Sequence, residues 1–486
     1  MAKRKLNDND REFFSLVSRA AFANPFSLTR FEIDKAITQK TAKNWLEIRP
    51  EVISKVSGRI AELDKEKIAD IRDFQKNDSL IIQHAFLFQE YHLVNEDFDK
   101  LIAKQVNSEK PLDVPFAKEL IDNLLARGFT KDEAKKYFAM FYQIRRAFYF
   151  IDKGLLGKCP SMTKLRVDLW NNIFTHDIFH YEKYLWDKME DFSTLLLGPT
   201  GCGKGTAAAA IGRSGFIPFD EKKNVFAESF IQSFVPINLS QYAESLLESE
   251  LFGHSKGAFT GAIADHKGIF AICSKHGSIF LDEIGEISTQ VQIKLLQVLQ
   301  EREFTPVGSH KKLHFNGRVI AATNQQIDKL RNEDKFRDDF YYRLCSDCIE
   351  VPSLQMRIHE NPAELDELIA KVIEKITGQT STELVKTVAR VIDNNLSRDY
   401  HWPGNVRELE QCIRRVIIKQ DYEGDKLNRS SAGGDTLAID THDGSMSATD
   451  VVKKYCRMLY ERHGTYAMVA KKTGLDNRTV KKHLLK

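Results

Sequence analysis

The sequence predicts an α/β fold at the centre of the chain, with a parallel sheet covered by helices and followed by a small helical lid. Short apolar and β-branched runs alternate there with helical stretches such as 289–301. Each run is bounded by glycine or polar residues, as buried central strands tend to be. The four runs are FSTLLLG, FVPINL, GSIFLDE and GRVIAATN.

The 486 residues are too many for one ordinary core, and the patterns divide them into five parts. Residues 421–447 are rich in Gly, Ser and Asp with little periodicity, which is typical of a flexible linker. The predicted parts are a mostly helical regulatory region at 1–185, an α/β core at 186–350, a helical lid at 351–420, the linker at 421–447 and a helix-turn-helix at 448–486.

Composition indicates a soluble globular protein, with 42% apolar and 29% charged residues and a net charge of +3. Because the net charge is nearly balanced, a surface that binds nucleic acid must be a local patch of positive charge. The first residues lack the apolar core of a signal peptide, and no uncharged run reaches the roughly 18 residues that would span a bilayer. We therefore expect a cytoplasmic protein without a membrane partner.

The seven cysteines are scattered, which favours a reducing compartment over a disulfide framework. Cys345 and Cys348 form a C-x-x-C pair, but no second ligand pair is spaced to complete a structural zinc site. The pattern favours ordinary thiols over zinc or redox chemistry.

Residues 1–185 carry an aromatic stripe at helical spacing from Tyr137 to Ile151, after a possible capping box of Thr130 and Glu133. The stripe could line a ligand pocket, although core packing is the favoured interpretation. No metal cluster, nucleotide loop, catalytic constellation or phosphoacceptor site is evident in this region. The signal that it senses could be a small molecule, a protein or a nucleic acid.

A glycine-rich loop, GPTGCGKG, follows a strand-like run and precedes the helix-forming TAAAAI. Its backbone N–H groups and the following helix dipole suit phosphates, and Lys204 supplies a positive charge to the β and γ phosphates. Gly205 stands where many such loops place a magnesium-binding Ser or Thr, so the metal would rely on other groups. The predicted nucleotide contacts are Gly198, Pro199, Thr200, Gly201, Cys202, Gly203, Lys204, Gly205 and Thr206.

About 80 residues further on, the apolar strand SIFLDE ends in two adjacent carboxylates. Asp282 is suited to hold hydrated Mg²⁺, and Glu283 to orient and deprotonate the attacking water. A strand end of this kind is common, but its pairing with a phosphate loop favours catalysis. The sequence therefore predicts an ATPase that uses ATP and Mg²⁺.

Between these motifs lies ESELFGHSKGAFTGA, at 248–262. This segment closely resembles the AAA+ activators of sigma-54 RNA polymerase, the bacterial enhancer-binding proteins, whose hallmark is the GAFTGA loop. The resemblance covers roughly residues 190–420 and implies an AAA+ P-loop core with a helical lid. It implies that the loop contacts sigma-54 through Gly257, Ala258, Phe259, Thr260, Gly261 and Ala262. Gly257 and Gly261 allow the chain to turn sharply at both ends of the loop. Phe259 then offers an apolar group at the tip, and Thr260 a hydrogen-bonding group.

The resemblance implies roles for further matching positions. Asn238 is similar to the switch asparagine that holds the catalytic glutamate away from water. Thr323 and Asn324 match the segment that senses the γ-phosphate, and Arg407 in WPGNVREL matches the arginine that the lid supplies.

In the same way, Arg337 and Arg343 in FRDDFYYRL match the arginine fingers that reach the ATP of a neighbouring subunit, although helix-surface ion pairs are an alternative. This sequence departs from the family at Gly205, where Glu is common, and at the lid entry LQMR (354–357). It also lacks the usual opening of the domain in residues 170–191.

The C-terminal residues 447–486 hold ten Lys or Arg against three Asp or Glu, a net of +7. A helix, a turn at 473–475 and a second helix would share a core of Val469, Ala470, Leu475, Val480 and Leu484. This pattern is similar to the helix-turn-helix modules of the same activators, although a basic solvated hairpin is an alternative. The residues predicted to contact DNA are Asn477, Arg478, Thr479, Lys481, Lys482 and His483.

Together these features predict a ring-forming ATPase, expected to be a hexamer, that opens promoters with sigma-54 RNA polymerase holoenzyme while bound to a double-stranded DNA enhancer site. Two other classes stay open. A DNA remodeller or loader of the wider AAA+ class would share the ATPase motifs but has no need of GAFTGA. A non-enzymatic DNA-binding regulator would not need an intact Lys204, Asp282 and Glu283.

Overall fold

The computed structural model describes residues 3–42, 45–65, 67–397, 399–424 and 447–484. The chain forms two compact units. The first comprises Met1–Ser381 with Gly404–Glu410, and the second comprises Thr382–Pro403 with Gln411–Lys486. Of the predicted linker at 421–447, residues 425–446 lie outside the described residues.

The N-terminal region is helical, as predicted. Side chains cap several helix starts: Asn7 accepts from the Asp10 amide, and Thr130 and Glu133 form the predicted capping box. The helices are α1 (Asp8–Phe22), α2 (Leu28–Thr38), α3 (Trp45–Leu63), α4 (Lys76–Leu93), α5 (Asn95–Gln105), α6 (Ala117–Ala126), α7 (Lys131–Gly154), α8 (Pro160–Phe174) and the single turn α9 (Ile178–His180).

Five parallel strands form the central sheet, in the order β4-β5-β8-β1-β9. The strands are β1 (Thr194–Leu197), β4 (Phe234–Asn238), β5 (Ser278–Asp282), β8 (Arg318–Thr323) and β9 (Asp347–Glu350). Two short hairpins lie outside this sheet, β2 (Phe219–Asp220) with β3 (Val225–Phe226) and β6 (Glu303–Phe304) with β7 (Leu313–His314). Because all five strands are parallel, their carboxyl ends share one edge, where ligands bind in open α/β sheets.

Helices cover the sheet and extend beyond it. The first unit contains α10 (Lys204–Gly212), α11 (Glu244–Phe252), α12 (Ile269–Ile272), α13 (Thr289–Glu301), α14 (Ile327–Asn332), α15 (Asp338–Leu344), α16 (Leu354–Glu360) and α17 (Ala363–Thr377). The lid is helical as predicted, and it continues with α18 (Thr382–Asn395) in the second unit. The next helix, α19 (Asn405–Lys419), has its first residues in the first unit and the remainder in the second.

Residue 185 does not mark a break in packing, although it is the predicted edge of the regulatory region. One continuous core joins the N-terminal helices to residues of β1, β8, β9 and α10. Tyr142 of α7 stacks on Phe226 at 3.8 Å between ring centroids. The guanidinium of Arg146, fully buried in α7, donates to the carbonyls of Arg213 and Gly215 at 2.6 and 2.7 Å. These carbonyls follow the end of α10, so α7 is bonded to the helix that leaves the glycine-rich loop.

The C-terminal end of the chain has one more helix than the predicted pair. It comprises α20 (Ala448–His463), α21 (Tyr466–Thr473) and α22 (Asn477–Leu484). Cys456 of α20 is buried together with Val469 and Val480, and Ala470, Leu475 and Leu484 pack against them. All five predicted core residues therefore lie in this cluster. The helix α20 was not predicted, because its apolar residues precede the segment that carries the helix-turn-helix pattern.

None of the helices in the described part of the chain is long and apolar enough to span a membrane.

Candidate functional site

The glycine-rich loop runs from the end of β1 to the start of α10, at the carboxyl edge of the sheet. Gly201 has φ +77, and a side-chain carbon there would lie 2.3 Å from the carbonyl oxygen of Gly404. At Gly198, the same atom would lie 2.6 Å from the carbonyl oxygen of Val351. Both positions require glycine because other backbone passes within contact distance.

Lys204 opens α10 and is buried beneath the loop. Its ammonium donates to the carbonyls of Gly198 and Pro199 at 2.8 and 3.2 Å. The loop residues from Thr200 to Thr206 line a cavity of about 520 Å³, which is within the usual range for small-molecule sites. The helix dipole and the ammonium group make this cavity favourable for phosphate.

The two acidic residues line the same cavity at the end of β5. Burial raises the pKa of Asp282, while the nearby charges of Lys204 and Arg407 act in the opposite direction. Glu283 has the left-handed backbone angles φ 58° and ψ 47°. Its Oε2 is buried without a hydrogen-bond partner among the described residues. A strained backbone and an orphaned carboxylate oxygen are both more common at functional sites than elsewhere.

Asn238 ends β4 and stands beside Asp282 in the sheet register. Its Oδ1 accepts from the amide and the hydroxyl of Ser240 at 3.0 and 2.7 Å. Asn238 and Glu283 line one cavity, but no hydrogen bond joins them within the described chain. The structure thus places Asn238 and Glu283 at one cavity, but the described chain lacks the hydrogen bond expected between a switch asparagine and the catalytic glutamate.

Asn324 follows β8 and reaches the glycine-rich loop, where its Nδ2 donates to Thr200 Oγ1 at 2.7 Å. Thr323 is fully buried, and its hydroxyl accepts from the Gln325 amide at 3.1 Å. Of these two residues from the sensor segment, Asn324 is therefore the one that contacts the loop.

Arg407 lines the cavity from the first turn of α19. Asn405, two residues earlier, was not predicted to belong to the site, yet its Nδ2 donates to the Thr200 carbonyl at 2.9 Å. Its Oδ1 accepts from the Leu354 amide at 2.8 Å. Asn405 has φ 52°, a left-handed angle that Asn tolerates better than most residues. The signal was present in WPGNVREL, where only Arg407 was assigned to the site.

The end of α7, the start of α8 and the segment between them form another wall of the cavity. The sequence did not predict this wall. Gly154, Leu155 and Met162 line it. Arg357 of α16 donates to the Leu156 carbonyl at 2.7 Å and is paired with Glu364 at 2.7 Å, both side chains being almost fully buried. Arg357 lies in the LQMR segment, which was noted only as a departure from the family.

Arg337 and Arg343 do not line the cavity that contains Lys204. Arg337 is paired with Asp339 at 2.7 Å. Arg343 is exposed, and its Nε donates to the Leu299 carbonyl at 3.0 Å. The two arginines lie at the start and near the end of α15.

The GAFTGA segment forms an exposed loop between α11 and α12. Paired backbone hydrogen bonds of 3.0 and 2.9 Å between His254 and His266 close its base. Within the loop, the Gly257 amide donates to the Ala262 carbonyl at 2.9 Å. The tight tip follows from positive φ angles of 80° and 102° at its two glycines.

The tip of this loop presents apolar and polar groups to solvent. The Phe259 side chain is 39% exposed and packs edge-on against His254 at 4.9 Å between centroids. Thr260 is exposed, and its hydroxyl has no hydrogen bond to any residue in the described ranges. Ile263, just after the motif, is 83% exposed. Ile263 was not predicted, because it lies outside the six-residue motif.

The thiols of Cys345 and Cys348 differ from ordinary thiols in their pKa. The neighbouring Cys348 side chain lowers the pKa of the Cys345 thiol to about 7, and the same interaction raises the pKa of Cys348. All seven cysteines are unbridged. Within the described ranges, no cluster of three or more His, Cys, Asp or Glu side chains is arranged to hold a metal ion.

In the C-terminal module, Asp476 caps α22 by accepting from the amides of Arg478 and Thr479, both at 2.9 Å. The side chains predicted to contact DNA are exposed apart from the half-buried Thr479 and His483. That these side chains contact DNA stays a prediction.

Comparison with known proteins identifies two domains in the chain. Residues 180–350 match the family described as the sigma-54 interaction domain, and residues 359–430 match the AAA+ ATPase lid domain. The Nif-specific regulatory protein of Azotobacter vinelandii is 37% identical over 281 residues, which are 57% of this chain and 46% of that relative. The transcriptional regulatory protein GlrR of Escherichia coli K12 is 34% identical over 258 residues, which are 52% of this chain and 53% of that relative.

The chain spans about half the length of the curated relatives that it matches. A crystal structure of NtrX from Brucella abortus in complex with ADP has a TM-score of 0.41 at 20% identity, over 76% of this chain and 80% of that one.

The glycine-rich loop, the acidic end of β5 and the five-stranded parallel sheet with its lid define an ATPase domain of the AAA+ class. Within residues 180–350 and 359–430, the chain is similar to the AAA+ activators that depend on sigma-54.

Proposed function

We propose that this chain hydrolyses ATP to drive promoter opening by sigma-54 RNA polymerase holoenzyme. The observation that carries the proposal is the GAFTGA loop, which is exposed and lies within the segment that matches the sigma-54 interaction domain. A wider AAA+ remodeller has no need of this loop. Its position between the glycine-rich loop and β5 links it in sequence to both halves of the nucleotide site.

The residues that line the cavity support separate roles in ATP hydrolysis. Lys204 would exchange its bonds to loop carbonyls for bonds to the β and γ phosphates of ATP. Glu283 would accept a proton from the attacking water through its unpartnered oxygen, and Asn324 would contact the γ-phosphate from the end of the neighbouring strand β8. Arg407 would add positive charge from the lid side.

The donor groups present also fit Mg²⁺, which prefers carboxylate oxygen, water and phosphate. Asp282 would hold the hydrated ion, and the Thr206 hydroxyl lines the same cavity. A side-chain carbon at Gly205 would meet no heavy atom within 4 Å, so glycine at this position reflects no steric need. When bound, the ion supplies charge that stabilises the transferring phosphoryl group.

We infer a ring assembly, expected to be a hexamer, because Arg337 and Arg343 stand outside the cavity of their own chain. Each would reach the ATP of a neighbouring subunit, where a guanidinium stabilises developing charge. Mixing an Arg343→Ala chain with a Lys204→Ala chain should then restore some hydrolysis in mixed rings. Mixed rings no more active than either parent would contradict the assignment.

The basic C-terminal module would bind double-stranded DNA upstream of the promoter, and the protein would act in the cytoplasm. Its exposed Arg478, Lys481 and Lys482 support phosphate contacts.

The direct test is open-complex formation by sigma-54 polymerase holoenzyme on a linear promoter fragment, with and without ATP. We expect opening that needs both this protein and hydrolysable ATP. A Glu283→Gln chain is the matched control, and it should bind ATP without opening the promoter. ATP-dependent DNA remodelling without sigma-54 would instead favour the remodeller class, and DNA binding without any ATPase activity would favour a non-enzymatic regulator.

A further inference from the structure

The N-terminal helices enclose an apolar cavity that no comparison assigns. It has a volume of about 100 Å³ and lies among α1, α2, α3, α4, α7 and α8. Its walls are mostly aromatic and aliphatic, and they include Phe22, Phe88, Phe141, Phe148 and Trp170. Part of the aromatic stripe of α7 therefore lines a pocket, in addition to packing in the core. An apolar cavity of about 150 Å³ accommodates a benzene molecule, so the smaller volume here limits the ligand to no more than one small ring or a short branched chain.

One part of the wall is cationic. Arg30 lines the cavity, is nine-tenths buried, and donates through Nε to Asp34 at 2.9 Å and through Nη1 to the Ala20 carbonyl at 2.9 Å. Its Nη2 has no hydrogen bond to the residues that the structure describes. Arg145 also lines the cavity and is held by Asp99 at 2.5 and 2.7 Å.

The wall carries charges of both signs, because Asp34 and Asp99 pair with Arg30 and Arg145, and Glu182, which is paired with Lys136, also lines the cavity. His92 lines the cavity, and its pKa is lowered well below the ordinary value, first by burial and then by the charges of Arg30, Arg49 and Arg145. An imidazole held neutral in this way adds no positive charge of its own. The charges of all three guanidinium groups still act on His92 despite these ion pairs, and this field favours an anion over a cation at the imidazole.

A second donor lies in the wall. Trp170 of α8 is 2% exposed and lines the cavity, and its indole Nε1 has no hydrogen-bond partner in the described part of the chain. Buried N–H groups are seldom left unpaired in native proteins. The unsatisfied groups at this cavity are thus both donors, so a complementary ligand brings acceptor atoms.

We propose that this cavity is a binding site for a small apolar carboxylate, with its ring or branched chain among the aromatic side chains and its carboxylate toward Arg30. An oxygen-bearing anion matches the unsatisfied Nη2 of Arg30 and the indole N–H. The apolar walls exclude larger hydrophilic anions such as nucleotides. The ligand would lie against α7 and α8, whose connecting segment also lines the nucleotide cavity.

Isothermal titration calorimetry on the full chain tests the site with four probes: benzoate, 3-methylbutanoate and their neutral amides. We expect at least one carboxylate to bind with one site per chain, and its amide to bind at least about tenfold more weakly. No binding by either carboxylate at millimolar concentration would overturn the proposal. An amide that binds as tightly as its carboxylate would overturn the role of the arginines.

Variants locate the binding site. Ile144→Trp should fill the cavity and abolish carboxylate binding, while ADP binding and the thermal midpoint remain close to those of the parent. Ile68→Trp is the matched control, because Ile68 is 57% exposed in the same helical region. Trp170→Phe keeps an aromatic ring but removes the N–H, and should weaken binding about fivefold without loss of fold. Parental affinity in both Ile144→Trp and Trp170→Phe would exclude this cavity.

Discussion

Glu283 combines a left-handed backbone with a buried oxygen that lacks a hydrogen bond within the described chain. If it is the general base, Glu283→Gln should retain ATP binding and slow hydrolysis at least about 100-fold, because the amide cannot take the proton. Single-turnover hydrolysis measured beside nucleotide affinity separates the two effects. Glu301→Gln, at the exposed end of α13, is the control and should hydrolyse ATP at the parental rate. Parental turnover by Glu283→Gln would remove the assignment.

Cys345 should be the most reactive thiol near neutral pH. Its pKa is lowered to about 7, so the thiolate forms as pH rises through 7, whereas burial raises the pKa of Cys273 to about 12. Iodoacetamide labelling followed by mass spectrometry should give half-maximal labelling rates at Cys345 near pH 7, with Cys273 unlabelled. Cys348→Ala should move that midpoint upward. An unchanged profile in Cys348→Ala would rule out the Cys348 side chain as the cause.

At the residue scale, the sequence revealed side chains that belong to contiguous motifs. Lys204 and Asp282 were found because a glycine-rich loop and a strand end are legible without tertiary contacts. Asn405 and Arg357 were missed because their partners, Thr200 and Leu156, are about 200 positions away in the chain. A single sequence does not indicate such pairings.

Among the elements, the C-terminal module α20–α22 has its own buried cluster around Cys456, Val469 and Val480. Truncation after Glu423 should therefore leave ATP hydrolysis intact and remove DNA binding. In the full chain, we expect DNA affinity to fall steeply between low and moderate salt, because Lys and Arg contacts release counterions. Fluorescence anisotropy at several salt concentrations measures this. If the truncated chain bound DNA as well as the full chain, DNA recognition would lie elsewhere.

Elements were predicted well where periodicity was strong. The four strand-like runs became β1, β4, β5 and β8, and the amphipathic α7 began at the predicted capping box. The helix α20 and strand β9 were not identified. The strand β9 has only four residues and contains Cys348 of the cysteine pair, so neither length nor alternation distinguished it from a loop.

At the scale of the whole molecule, the continuous core shows that the N-terminal region does not pack as a separate domain. A detachable regulatory domain would leave a stable ATPase when removed. Here α7 packs on the ATPase core, where Tyr142 stacks on Phe226 and Arg146 bonds to the chain that follows α10. Deletion of residues 1–157 should therefore expose apolar surface, with aggregation or a clearly lower thermal midpoint. Size-exclusion chromatography and thermal unfolding monitored by circular dichroism measure this. A monodisperse fragment that unfolds at the parental temperature would show that the two parts are independent.

The sequence predicted the boundary at residue 185 from a change in pattern, and such changes do not report packing. Both parts present apolar faces, and periodicity alone cannot tell which face covers which. Core packing was favoured over a pocket in the N-terminal helices for a related reason, since an aromatic stripe has the same pattern whether it is fully packed or lines a pocket.

The central claim is that the GAFTGA loop couples ATP hydrolysis to sigma-54, and Thr260 tests it most directly. Thr260 is exposed, its hydroxyl is not bonded to the described chain, and it does not line the nucleotide cavity. The decisive measurement compares ATP hydrolysis and sigma-54-dependent open-complex formation, side by side, for the parent and for Thr260→Ala. We expect Thr260→Ala to retain most of the ATPase activity and ring assembly but no longer to open promoters. Full promoter opening by Thr260→Ala would contradict the claim.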